Sequence, residues 1–167
     1  MDYAGLKTQI ALPAYAGMTD AQIAAAITTV NVTVYSSVPT SQWEGYLLSH
    51  GFLVAMAAYA ATPPTGAGTL AIVAIKTIML LISSPAVSGI DLSDATTFSE
   101  VQVMLSALVA EGTAGRLASV AGVAFAATDV TAMMAMGTTT VSIAQQLGFN
   151  PAVNDMAQEI PAARLRG

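Results

Sequence analysis

Residues 46–83 read YLLSHGFLVAMAAYAATPPTGAGTLAIVAIKTIMLLIS, two apolar stretches joined by Pro63-Pro64-Thr65-Gly66. That breaker between residues 46–62 and 69–83 outlines a helical hairpin. Whether the hairpin sits in lipid or in protein decides the fold. A spanning helix takes about 20 predominantly apolar residues. The first stretch contains His50 and Gly51 and is rich in Ala; the second carries Lys76 at its middle. A cation there costs about 2.5–3.5 kcal/mol even on the most forgiving insertion scale. Neither stretch has a basic cluster on one flank to set an orientation. The reading is of helices buried in protein, with a membrane hairpin as the alternative.

Composition calls for a covered surface. The 167 residues, enough for one domain with a real core, are 54% hydrophobic and 9% charged, against roughly 25% charged in an ordinary soluble domain. Mean hydropathy is +0.65. A compact monomer of this mass exposes roughly 7,700 Å². Its 15 charged side chains then leave about one per 500 Å², the size of the largest apolar patch a monomer normally carries. Such a surface is expected to be covered by lipid or by other protein copies. Five basic residues against ten acidic ones cannot neutralise a phosphate backbone, which excludes nucleic acid as the main ligand. Without Cys there is no disulfide framework or thiolate site. Met1 is followed by Asp2 and Tyr3 instead of a basic and then an apolar region, so no secretory signal is expected.

Working outward, the pattern predicts a single-domain, mostly α helical bundle over 1–167 with one short extended strand or arm. A helical pair occupies 1–29. Tyr3, Leu6 and Ile10 share a face of the first helix, Pro13 ends it, and Thr19 caps the second with Gln22 three residues on. Segment 30–38 is extended: Val30, Val32 and Val34 alternate with Asn31, Thr33 and Tyr35. No second strand is evident, so it pairs with a neighbouring subunit, packs as an arm, or simply links two helices. Residues 40–147 form the helical core. In it Gly51 ends or kinks one helix, 67–83 is apolar all round, 96–111 is amphipathic, 112–127 is ambiguous, and helices follow from Thr128 and over 138–147. Gly148 terminates the last of these. The tail, 148–167, holds a final helical turn or two over 156–164.

Chemistry is sparse. His50 is the lone histidine and lacks a positioned carboxylate, Glu44 being six residues away. Gly66-Ala67-Gly68-Thr69 precedes a helix and offers amides to an anion, but without the Gly-Lys-Ser/Thr ending of a phosphate-binding loop it reads as a turn. Asp91 and Asp94 lack the calcium-loop pattern. Met133, Met134 and Met136 read as core filling. Glu159, Arg164 and Arg166 form a charged C-terminal tip. No catalytic, cofactor or metal site is expected.

The opening Met1-Asp2-Tyr3-Ala4-Gly5-Leu6-Lys7, followed by Tyr15-Ala16-Gly17-Met18-Thr19-Asp20, resembles a family of small proteins encoded among the virion genes of tailed bacteriophages. Residues 142–149 and Ala162-Ala163-Arg164 are similar to that family's ending. The likeness covers about a third of the chain, at its two ends. Relatives usually carry charge where this chain has Gln9, Ile143, Ala144, Gln145 and Gln146. The resemblance implies a virion structural subunit without enzymatic activity, made in the host cytoplasm, and the lost charge implies burial inside an assembly.

The combined expectation is a subunit of the head–tail connector or tail that self-associates and binds other virion proteins through apolar helix faces. A capsid decoration protein and a holin-like membrane hairpin are the alternatives. Expected interface residues are Val30, Val32, Val34 and Tyr35 by strand or arm pairing, Trp43 and Tyr46 as aromatic anchors, and Arg164 at the tail.

Overall fold

The computed structural model describes residues 1–166 and is mostly helical. In chain order it contains α1 (Tyr3–Ile10), a short 3₁₀ turn (Pro13–Tyr15), α2 (Asp20–Thr28), β1 (Val30–Tyr35), β2 (Ser37–Pro39), α3 (Thr40–Ser49), α4 (Phe52–Ala61) and α5 (Thr69–Ser83). There follow β3 (Gly89–Asp91), α6 (Ala95–Thr113), α7 (Arg116–Ala121), α8 (Ala127–Ala135), β4 (Thr138–Ser142), α9 (Ile143–Gln146) and α10 (Met156–Arg166).

One helical domain is expected from the sequence; the contacts resolve two compact units. Unit 1 takes Met1–Val34 together with the chain from Thr139 onward, and unit 2 takes Tyr35–Thr138. The second is thus an insertion within the first. No Gly- or Ser-rich linker announces it, because both crossings fall inside strands, β1 and β4. The two ends of unit 2 are tied together: Ser36 donates its backbone N–H to Gly137 O at 2.6 Å and its hydroxyl to the same oxygen at 3.1 Å.

In unit 1, α1, α2, α9 and α10 bury Leu6, Ile23, Ile27, Ala144, Phe149, Met156 and Ile160. Thr19 caps α2 as its sequence predicts, with Gln22 completing a reciprocal capping box. Gly148 has φ +76°, the left-handed conformation that lets a helix end. β1 pairs with β4 in a two-stranded sheet. This corrects the expectation of a strand without a partner in the chain, since residues 138–142 read as helix but are extended. Thr138, Thr139, Thr140 and Val141 are β-branched, and Ser142, caught between strand and helix, caps α9 by accepting from the Gln145 N–H. α10 runs for 11 residues where a turn or two is expected. Pro161 inside it removes a helix N–H, but burial of Met156, Ile160 and Ala163 holds the helix together.

In unit 2, α3 to α8 surround a larger core centred on Trp43, Tyr59, Ile75, Ile78, Leu105, Leu108 and Phe125. Gly51 separates α3 from α4 with φ +73°. β2 and β3 pair antiparallel with Val38 opposite Ile90, and both side chains are buried. Along α6, Gly112 lies against the backbone of Phe125, so closely that a Cβ would collide with it. Thus the region 40–147 contains β3 and β4 in addition to its helices.

Candidate interaction surface

α5 shows why a helix apolar on all sides is informative. Ala71, Ala74, Ile75 and Ile78 face the core of unit 2. The opposite side carries Leu70, Val73 and Leu80, exposed by 54%, 54% and 68%. These recur at helical spacing and form a ridge, with exposed Lys76 beside them. A groove lies on each flank of the ridge. One, of about 430 Å³, is lined by Glu44 of α3, Leu53 of α4, and Lys76, Met79, Leu80 and Ile82 of α5. The other, of about 610 Å³, lies toward β3 and α6 and is lined by Thr77, Leu81, Ile90, Val101, Val103 and Met104 among others. Exposed apolar side chains scattered singly are normal; a ridge continuous with apolar grooves is a candidate interaction surface.

The residues expected at an interface are distributed differently. Trp43 is 1% exposed and donates its indole N–H to Met133 O at 3.1 Å. It is a core residue, which corrects its assignment as an anchor: an amphipathic ring with its N–H satisfied inside gains most by burial. Tyr46 is half-buried, donates to Asp129 Oδ1 at 2.7 Å, and stacks on His50 with centroids 4.1 Å apart. Burial and the acidic acceptor push its phenol up to about 12. Tyr35 packs its ring on Phe98 at 4.5 Å. Val30 is exposed, and Val32 and Val34 are half-buried on β1. Arg164 pairs with Asp20 at 2.9 Å. The residues expected at an interface thus lie on β1, α3 and the tail, and the exposed α5 ridge is not among them, although the apolar run from Leu70 to Leu80 was legible in the sequence.

A second cluster was also missed. Glu111, 2% exposed, accepts from Tyr59 Oη at 2.5 Å, from Arg116 Nε at 2.6 Å and Nη2 at 2.8 Å, and from the Gly68 N–H at 3.2 Å. The Gly68 amide just before α5, in the segment the sequence reads as a turn, is thus occupied by an internal carboxylate. Bonds from Arg116, then Tyr59 and Gly68, hold the Glu111 carboxyl down at about 2 against the cost of burial. Burial and the same carboxylate push the Tyr59 phenol up to about 12. This network is fully satisfied and knits α4, the start of α5, α6 and α7 together.

The other chemically suggestive residues have structural partners. His50 lies with Nδ1 2.9 Å from Tyr46 O and its ring 5.8 Å from that of Phe52. Asp91 accepts from Ser93 in a local turn, and Asp94 caps α6 through the Thr97 N–H; these bonds lower both carboxyls. Met133 and Met134 are buried and Met136 is half-buried. Among the described residues no group of His, Cys, Asp and Glu is placed to hold a metal ion.

No protein-family model, curated protein or solved structure matches the chain.

Proposed function

We propose that the chain is a non-enzymatic structural subunit of a tailed-bacteriophage particle, in the head–tail connector or the tail, working as one assembly module through apolar helix faces. The observation that carries this reading is the exposed ridge of Leu70, Val73 and Leu80 on a chain with only 15 charged side chains. Obligate interfaces are apolar and resemble a core cut in half, and α5 has that character on both sides. The likeness of the two chain ends to small virion proteins supplies the setting. Chemistry argues in the same direction, because the one buried carboxylate cluster described above spends its hydrogen-bonding capacity on Arg116, Tyr59 and Gly68.

A membrane hairpin fits less well. No helix among the described residues is long and apolar enough to cross a membrane. The 15 residues of α5 extend about 22 Å, short of a hydrocarbon core of about 30 Å.

Quantitative mass spectrometry of purified particles from cells that produce the chain tests the proposal. A fixed ring-like stoichiometry is expected. Copy numbers approaching those of the capsid protein would indicate decoration instead, and absence from particles would overturn the reading.

A further inference from the structure

The groove between α3, α4 and α5 carries charges of both signs. Glu44 lines it from α3 and Lys76 from α5, and Leu53, Met79 and Leu80 line it as well. Both charged residues are exposed, and no ion pair engages either among the described residues. Lys76 is the unpaired cation of unit 2, since Arg116 is committed to Glu111. Leu80, exposed by 68%, stands at the edge of the same groove, and Leu48, exposed by 62%, lies one turn beyond Glu44 on α3.

This arrangement is self-complementary. In a two-fold interface, residue i of one copy meets residue j of the other, and j meets i. A partner bearing a single sign of charge satisfies either Lys76 or Glu44 and opposes the other. A second copy turned through 180° satisfies both at once while its Leu80 ridge enters the facing groove. Such charge pairs fix register and exclude wrong partners, and the apolar centre supplies the affinity.

We propose that this α3–α5 face binds a second copy of the chain across a two-fold axis, Lys76 of each copy against Glu44 of the other. The inference names a partner for the assembly face proposed above and rests on that reading's claim that protein covers α5.

Sedimentation equilibrium of the full chain, without detergent, tests it. The wild type is expected to associate, and Leu80→Asp to abolish association while circular dichroism stays unchanged, because the side chain is exposed. Lys76→Glu and Glu44→Lys each place like charges together at two symmetric sites and are expected to weaken the dimer about tenfold or more. An equimolar mixture of these two single variants restores opposite charges at both sites, so association returns in the mixture and also in the doubly substituted chain. A wild type that stays monomeric at high micromolar concentration overturns the inference, as do single variants that associate like wild type or a mixture that is not rescued. Particle incorporation is scored separately. A monomeric chain found in particles removes the two-fold pairing and leaves the structural role; a rescued dimer absent from particles does the reverse.

Discussion

Each unit fastens elements distant in the chain with the same chemical pair, a tyrosine phenol donating to a glutamate, and the two settings differ. In unit 2, Tyr59 of α4 donates to Glu111 of α6 at 2.5 Å in a buried site closed by Arg116. In unit 1, Tyr3 of α1 donates to Glu159 of α10 at 2.7 Å nearer the surface, with Asn154 at 3.4 Å from the same carboxylate and Arg166 over the Tyr3 ring at 5.0 Å. The buried pair sits in a low-dielectric site where each bond is stronger and each missing partner is costlier. The outer pair can exchange its partners for water. Burial, more than the identity of the pair, therefore sets what each contributes. The same holds for the cores, because the apolar clusters of the two units share no residue.

The most demanding test of that contrast is Trp43→Ala. A 1%-exposed indole bonded to Met133 O leaves a cavity and an unpaired carbonyl, at a cost of about 4 kcal/mol. Hydrogen exchange followed by mass spectrometry is expected to show lost protection across 35–138 with 1–34 and the C-terminal segment little changed. Equal loss in both units would break the comparison. An isolated chain whose stability did not move would contradict the buried position of the indole.

Glu111 comes next. Glu111→Ala strands the Tyr59 hydroxyl and the Gly68 N–H and unpairs Arg116, a loss of about 3 kcal/mol by urea unfolding. Glu159→Ala is expected to lose far less. The pH dependence has a definite sign. With its folded value lowered to about 2, Glu111 contributes fully above the ordinary carboxylate range, and the contribution disappears as pH falls from about 4.5 through about 2. The Tyr59 phenol, raised to about 12, acts at the other end: its contribution is complete below about 10 and is lost as pH rises through about 12. Glu111→Gln is expected to flatten the acid limb specifically. An acid limb unchanged in that variant would show that the buried network does not couple to folding.

Thr19→Ala addresses a feature that could be read in advance. Removing the hydroxyl that accepts from the Gln22 N–H costs about 1 kcal/mol, and the exchange rates of α2 amides are expected to report it locally. The Thr19 capping box, the Gly148 stop and the Pro63-Pro64 break were readable because each acts within a few residues of its own position. Trp43, Glu111 and β4 were not, because what decides them lies far along the chain. Met133 O is 90 residues from Trp43 and Tyr59 is 52 from Glu111. β4 needs β1, more than 100 residues earlier, to be a strand at all. The α5 ridge falls between these cases. Its apolar residues were evident, but which of them turn outward depends on where α4 and α6 pack.

Arg164→Ala is expected to give the smallest effect. Its bond to Asp20 joins α10 to α2 across 2.9 Å, yet the arginine side chain is 51% exposed and the aspartate 33%. Water and salt screen such a pair, and immobilising two side chains offsets much of the attraction, so the change in unfolding free energy is about 0.3 kcal/mol and shrinks with added salt. Asp20 also sits in the first turn of α2, where the helix dipole favours a carboxylate with or without the arginine. Its reversal, Asp20→Arg, is therefore expected to cost more than Arg164→Ala, through the helix as well as through repulsion. If instead the two variants cost the same at low salt and both costs shrink alike with added salt, the ion pair would be the whole of the effect. A loss on Arg164→Ala as large as that on Glu111→Ala would break the comparison itself, because the outer surface of unit 1 would then depend on a single screened pair as strongly as the interior of unit 2 depends on its buried network.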